Sequence, residues 1–244
     1  MIKKCLTFLL ALMQLSAQSQ ERVEYSPGFK FTDGIYLSFQ DFKNNNPIPV
    51  THILSDLDIR NQDYLELVLD ADSVTYFDNL LEERTTSILN IWGFSKNGKP
   101  HIGFNTTQSS ITWDNRAWFP LLSIGAYNYF TAVIIVSRFI GPAPGAMMQS
   151  RGMLDDGAMF RDQGSFYDES VPLQMLLDFS NGELIQLASG DLNSVSPDLI
   201  SQLIASDFSL LTEYRKLPKR DQKQSSMFYI RKYNMRNPIS LPAN

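Results

Sequence analysis

The chain has 244 residues, of which 43% are hydrophobic and 19% charged, and this excludes an intrinsically disordered protein. The length allows one sizeable core or two small ones. A formal net charge of −5 argues against nucleic acid as the main partner, because a phosphate backbone requires clustered Lys and Arg.

The N-terminus has the residue order of a secretory signal peptide. Lys3 and Lys4 precede an apolar stretch over residues 5–13, and small residues follow it. We expect cleavage after Ala17 or Ser19, so residues 1–19 are predicted to be a signal peptide. The mature chain is then exported to the periplasm, the outer envelope or the medium. The alternative is a buried N-terminal helix.

Removal of residues 1–19 would leave 19 basic and 26 acidic residues and no cysteine, because Cys5 is the only one. Disulfides, cysteine nucleophiles and cysteine metal sites are therefore excluded for the mature form. We expect no transmembrane span, since the best remaining candidate, residues 124–140, contains Asn128 and Arg138. Its β-branched and aromatic residues predict one long strand or two short ones.

The first half of the mature chain predicts mainly strands. Residues 34–37 predict a short strand, and Ser38 with Asp41 predicts a capped helical turn after it. Asn97-Gly98 supplies the positive φ values that a tight hairpin turn requires. The predicted strands around these features cover residues 64–69, 74–77, 88–93 and 101–104.

Residues 118–140 predict two or three more strands. Residues 141–170, which are rich in Gly, Pro, Met and acidic residues, predict a long loop of a kind that is often functional. A second hairpin is expected over residues 171–188, around Asn181-Gly182.

The C-terminus predicts helices. Ser196 followed by Pro197 is a strong helix start, a second helix starts near Asp207, and Pro218 ends it. A third segment over residues 219–236 carries Met227, Ile230 and Tyr233 on one side. The predicted fold is α+β: residues 20–244 form a single domain, an antiparallel β-rich body with two or three C-terminal helices.

Charge is distributed unevenly along the chain. Residues 215–244 contain eight basic residues and one acidic residue, while residues 20–214 carry a net charge of −14. The basic segment could be an arm for an anionic partner, or it could dock on the acidic body. The apolar residues within it favour docking.

The most site-like stretch lies between the second and third of the three tryptophans. Trp113, Asp114, Arg116 and Trp118 combine aromatic faces with groups that hydrogen-bond a sugar or a peptide. We interpret these four residues as a candidate binding site. The alternative is that both rings fill the core or flank a turn.

Other catalytic and metal-binding patterns fail on their spacing. His52 and His101 lie in separate segments and there is no Gly-x-Ser-x-Gly motif, so a Ser–His–Asp triad is not indicated. Asp56 and the acidic residues that follow it resemble the start of a calcium-binding loop. However, Asn61 lies where that loop has a glycine, and Leu67 lies where it has its terminal glutamate. We therefore predict no metal site and no cofactor.

Three segments, taken in order, resemble a group of uncharacterised exported proteins of Bacteroidota. They are residues 34–47 (GIYLSFQDFKNNNP), 91–99 (IWGFSKNGK) and 228–238 (FYIRKYNMRNP), which together extend across the mature chain. The resemblance implies export by a signal peptide. It implies no activity and no catalytic residues.

Two classes of function remain. The first is a non-enzymatic exported protein, a binding or envelope-associated module whose partner could be an envelope protein or a glycan. The second is a carboxylate-dependent hydrolase acting on glycans, with acids of the loop at 155, 156, 162, 168 and 169 beside the tryptophans. Two buried carboxylates in a cleft near Trp113 would favour the hydrolase.

Overall fold

The computed structural model describes residues 21–106, 116–140, 165–190 and 195–243. Its helices are α1 (Phe39–Lys43), α2 (Tyr64–Val68), α3 (Pro197–Leu203), α4 (Phe208–Arg215), α5 (Lys219–Gln224) and α6 (Ser226–Arg236). Its strands are β1 (Arg22–Glu24), β2 (Gly34–Tyr36), β3 (Ile48–Pro49), β4 (Ile53–Leu54), β5 (Ser73–Phe77), β6 (Glu83–Ser87), β7 (Gly93–Lys96), β8 (Lys99–Asn105), β9 (Arg116–Pro120), β10 (Tyr127–Ile140), β11 (Ser165–Asp178), β12 (Leu184–Ser189) and β13 (Ser240–Pro242). None of the helices in these ranges is both long and apolar enough to cross a membrane.

The strands form four sheets, and every pairing between them is antiparallel. The largest sheet has the order β3-β2-β7-β8-β9, and two three-stranded sheets have the orders β10-β11-β12 and β4-β5-β6. A two-stranded ribbon pairs β1 with β13, so the two ends of the described chain lie together. The predicted α+β class with a β-rich antiparallel body is confirmed.

Three hydrophobic clusters arrange these sheets in layers. One cluster lies between the five-stranded sheet and β10–β11, and a second lies between β11–β12 and the C-terminal helices. The third lies on the other face of the five-stranded sheet, against α2 and the β4–β6 sheet. Side-chain alternation explains this order, because Met175 and Leu177 on β11 enter the first cluster and Leu176 between them enters the second. The C-terminal helices and the α2 layer therefore form opposite ends of the stack.

The local turn signals are confirmed. The side chain of Ser38 accepts a hydrogen bond from the Asp41 backbone, and the Asp41 carboxylate accepts one in return from the Ser38 backbone. Asn97 and Gly98 have φ values of 54° and 73°, as a tight turn between β7 and β8 requires. Gly182 has a φ of 81° in the turn between β11 and β12.

Two predicted strands are wrong. Residues 64–68 form the helix α2 instead, with Leu69 as its C-cap, because Tyr64, Leu65, Val68 and Leu69 have the i, i+1, i+4, i+5 spacing of one helix face and are all buried. Residues 88–93 begin as a 3₁₀ turn over Ile88–Asn90, where Ser87 accepts a hydrogen bond from the Leu89 backbone. Strand β7 starts only at Gly93.

The predicted loop over 141–170 is too long at its C-terminal end. Residues 165–170 belong to β11, where they pair with residues 140–135 of β10 in one continuous ladder. This part of β11 is polar, with Asp168 and Glu169, so it lacked the apolar alternation that predicts a strand. Residues 141–164 lie outside the described part of the chain.

The basic C-terminal segment docks on the body. Ile230 and Tyr233 of α6 are buried and Met227 packs against the same cluster. The predicted segment over 219–236 is divided at Ser225, whose hydroxyl donates to the Asp221 backbone oxygen at 2.6 Å. Such side-chain bonds compete with the helix backbone and favour a break.

Candidate functional site

Of the four residues predicted to form a binding site, Arg116 and Trp118 lie on one face of β9, and Trp113 and Asp114 lie outside the described residues. The guanidinium carbon of Arg116 lies 5.4 Å from the centre of the Trp118 ring. The Trp118 ring meets the edge of Phe94 at 5.6 Å, within the cluster under the α2 layer.

Arg116 is tied to the protein itself. Its guanidinium donates to Asn105 Oδ1 at 2.9 Å and to the Ile91 carbonyl oxygen, and burial lowers its pKa below the ordinary value. Its Nε is buried and has no hydrogen-bond partner within the described residues. This arrangement fixes β9 to β8, and a binding role for Arg116 and Trp118 stays a prediction.

The structure keeps the two histidines apart. His52 ends the 3₁₀ turn Val50–His52, whereas His101 lies on β8 and stacks on Phe94 with ring centres 4.6 Å apart. Burial lowers the pKa of His101. No group of three or more potential metal ligands occurs among the residues that the structure describes.

A cleft of about 400 Å³ lies where the β1–β13 ribbon meets the start of β10, the end of β11 and the C-terminal end of α6. A volume of this size is typical of small-molecule sites. Its lining combines two cations, one carboxylate and apolar or aromatic walls: Arg22, Lys43, Ala126, Tyr127, Asp178, Phe179, Ser180, Tyr233, Asn237, Pro238, Ile239 and Ser240.

Lys43 is the cation that the fold positions best. It lies in the last turn of α1, and its Nζ donates to the Ser180 carbonyl oxygen at 3.0 Å. The same Nζ lies 5.9 Å from the ring centre of Phe39 and 5.6 Å from that of Phe179. Since an ammonium group has three donors, two have no acceptor within the described residues.

The opposite wall contains two tyrosines whose hydroxyls are engaged within the protein. Tyr127 donates to the Leu203 carbonyl oxygen at 3.0 Å, and Tyr233 shares a hydrogen bond with the Ser206 hydroxyl at 2.6 Å. Burial, with a smaller contribution from the charge of Asp178, raises the pKa of Tyr127 to about 12. The phenol therefore keeps its proton at neutral pH and does not act as a base.

Asn234 of α6 holds the Tyr127 wall in place. Its side-chain amide donates to the Tyr127 carbonyl oxygen at 2.7 Å and accepts from the Tyr127 backbone N–H at 2.9 Å. The two bonds continue the hydrogen-bonding edge of β10 that β11 leaves unpaired. Gly125 is required beside it, since a Cβ at that position would lie 2.5 Å from the Asn234 amide carbon.

Sequence reasoning missed this cleft because its lining comes from distant parts of the chain. The capping box predicted α1 and the Asn181-Gly182 turn predicted the hairpin, so two of its walls carried local signals. Nothing local indicates that Lys43 and the residues after Asp178 meet. That contact follows only from the packing of α1 against the hairpin.

Comparison of the chain with protein-family models, curated proteins and solved structures finds no match. The resemblance to exported Bacteroidota proteins therefore stays a prediction.

Proposed function

We propose that this protein is an exported, non-enzymatic binding module that holds a small amphipathic anion in the cleft described above. The observation that carries the proposal is the position of Lys43, whose ammonium group lies beside the rings of Phe39 and Phe179 at the cleft and has two donors without a partner within the described residues. The ligand that fits this chemistry has a carboxylate, sulfate or phosphate group on an apolar body.

The two ends of such a ligand match different parts of the cleft. Lys43 and Arg22 provide positive charge for its anionic group. Phe179, Pro238 and Ile239 provide apolar surface for its body.

The chemistry of the described residues supports binding over catalysis. The described lining of the cleft contains no cysteine or histidine, and its phenol Tyr127 stays protonated. Glycan hydrolysis needs a carboxylic acid with a raised pKa. Hydrogen bonds instead lower the pKa values of three carboxylic acids, Asp78, Asp207 and Glu213. Of the five acids predicted for the alternative hydrolase, Asp168 and Glu169 lie on β11 and neither is buried, and those at 155, 156 and 162 lie outside the described residues.

Calorimetric titration of the mature chain with sodium octanoate and with octanol tests the proposal. We expect octanoate to bind more tightly, and Lys43→Met to weaken octanoate binding by about 10-fold or more, because a charge-assisted hydrogen bond contributes roughly 1.5–3 kcal/mol. Lys99→Met removes a cation from β8, outside the cleft lining, and is the matched control. Equal affinities for octanoate and octanol, or an unchanged Lys43→Met variant, would contradict the proposal.

Export is tested separately, by mass spectrometry of the protein recovered from its native cell. We expect an N-terminus at residue 18 or 20 in an envelope or secreted fraction, because the residue order of 1–19 is that of a cleaved signal. An intact N-terminus in the cytoplasm would contradict export and leave the binding proposal standing.

A further inference from the structure

The outward side of α6 exposes large apolar side chains, whereas the outward side of an ordinary surface helix is polar. Phe228 and Met235 are 59% and 82% exposed, although they lie seven residues apart and therefore on one side of the helix. Three cations lie beside them on the same side, and we call these five residues the basic face: Phe228, Arg231, Lys232, Met235 and Arg236. The buried side of α6, with Ile230 and Tyr233, already packs on the body, so the basic face is a second, unpartnered face.

Two of the three cations of the basic face are ion-paired with carboxylates of the protein, and the third, Arg231, is not paired among the residues that the structure describes. Lys232 pairs with Glu213 at 2.7 Å and lies 5.8 Å from the Phe228 ring centre, and Arg236 pairs with Asp207 at 3.1 Å. Arg231 forms no ion pair within the described part of the chain and is exposed. Phe208, which follows Asp207 at the start of α4, adds a further apolar side chain that is 79% exposed.

The exposed apolar residues Leu80 and Leu81 have the opposite electrostatic surroundings. Leu80 and Leu81, in the turn between β5 and β6, are as exposed as Met235 or nearly so, but they lie between Asp78 and the acids Glu82 and Glu83. The contrast holds for whole layers. Residues 53–87 contain nine acidic and two basic residues, whereas residues 197–236 contain eight basic and four acidic residues. These layers lie at opposite ends of the stack, so the molecule has a net charge of −7 at one end and +4 at the other.

We infer that the basic face docks on the surface of an anionic phospholipid bilayer, with α6 lying in the membrane plane. Large apolar side chains flanked by Lys and Arg on an exposed helix face are the pattern of interfacial helices, in which the apolar groups enter the headgroup region and the cations contact anionic headgroups. The charge separation orients the molecule, because an anionic surface attracts the helical end and repels the acidic end. The inference does not use the cleft, which α6 lines with Tyr233 from its buried side and with none of the five residues of the basic face.

Cosedimentation of the mature chain with vesicles tests the inference. We expect binding to vesicles of phosphatidylcholine and phosphatidylglycerol in equal parts, little binding to phosphatidylcholine alone, and weaker binding at high salt. The double variant Phe228→Ser/Met235→Ser should lower the partition coefficient by about 10-fold or more. The double variant Leu80→Ser/Leu81→Ser removes equally exposed apolar groups at the acidic end and should bind as the unmodified chain does.

Arg231→Gln provides an independent readout, because it should weaken binding to the anionic vesicles and reduce the salt dependence without touching an apolar contact. Both variants of the basic face alter exposed residues, and unchanged melting temperatures will verify that they fold. Absence of binding to the anionic vesicles, or equal loss in the Leu80→Ser/Leu81→Ser control, would overturn the inference. The inference would also be overturned if the protein formed a dimer, did not bind vesicles, and lost the dimer in the Phe228→Ser/Met235→Ser variant. That result would assign the basic face to contact with a second copy of the chain. Octanoate binding should be the same in all these variants, so either proposal can fail without the other.

Discussion

Replacing Asn234 by Leu removes the amide that links α6 to the unpaired edge of β10. The Asn234 side chain is 8% exposed and makes two hydrogen bonds, at 2.7 and 2.9 Å, to the backbone of Tyr127. Leu has the same number and branching of side-chain heavy atoms and leaves no cavity, so the main change is the loss of the polar groups. The Tyr127 backbone N–H and C=O would then both lack a partner.

The expected loss of stability follows from those two groups. A buried backbone group left without a partner costs about 1–3 kcal/mol. Two such groups therefore predict a loss of roughly 2–6 kcal/mol, which corresponds to a fall in melting temperature of about 4–24 °C for a protein of this size.

Urea unfolding followed by circular dichroism measures this loss, and Asn234→Asp supplies an internal check. In that variant the ionised carboxylate still accepts a hydrogen bond from the Tyr127 N–H, but it has no proton to donate to the Tyr127 carbonyl oxygen and is repelled by it. The protonated carboxyl group can make both hydrogen bonds. The folded state therefore raises the pKa of the new carboxyl group, and stability should be lost as the pH rises through that pKa. The Leu variant should lack this pH dependence.

Asn237→Ala is the matched control for this pair. Asn237 also bonds a backbone oxygen, that of Tyr233 at 3.0 Å, but within one helix end and only partly buried, so it should cost less than about 1 kcal/mol. If Asn234→Leu is no more destabilising than Asn237→Ala, the reasoning that the amide satisfies the edge of β10 is refuted.

Two further predictions concern the turn beside the cleft and the start of α4. Gly182 and Gly190 share positive φ values of 81° and 78°, but only at Gly182 would a Cβ clash, at 2.5 Å from the Phe39 ring. Gly182→Val should thus destabilise the protein in urea by about 1–3 kcal/mol more than Gly190→Val, and equal losses would contradict the packing of α1 on this turn. The backbone N–H of Leu210 and the side chain of Arg236 lower the pKa of Asp207, so its contribution to stability is present above the ordinary Asp pKa and is lost as the pH falls through the lowered value. Asp207→Ala should therefore lower the melting temperature at neutral pH and converge on the unmodified protein in acid, whereas a constant difference would show that the charge of Asp207 is irrelevant.

The sequence predicted those elements whose cause is local. The capping box of Ser38 and Asp41, the Asn97-Gly98 turn and the helix start at Pro197 each depend on a few adjacent residues, and all three are present. Residues 64–69 were mistaken for a strand because a short apolar run satisfies both periodicities, and tertiary packing decides between them. Among the predicted site residues, Arg116 could be identified as unusual, but its bond to the Ile91 carbonyl oxygen depends on a contact 25 residues away.

The cleft depends on contacts between residues that are still farther apart in the sequence. Tyr127 and Asn234 are 107 residues apart, and Lys43 is 137 residues from Ser180. No periodicity or motif indicates such pairs. Only the layered packing of the sheets and helices brings them together, which is why pattern analysis found the elements and missed the site.

The pairing of β1 with β13 sets an order for the folding of this chain. Arg22 pairs with Pro242, so the ribbon closes a loop of about 220 residues and can form only after the last strand has been synthesised. Ala243 adds a bond from its backbone N–H to the Glu21 carbonyl oxygen at 2.7 Å, which completes this late closure. Because Arg22 and Ser240 from the two strands also line the cleft, a chain that is still being synthesised has an incomplete cleft. Under the proposed function, the protein would thus become competent to bind a ligand only after its whole chain has folded.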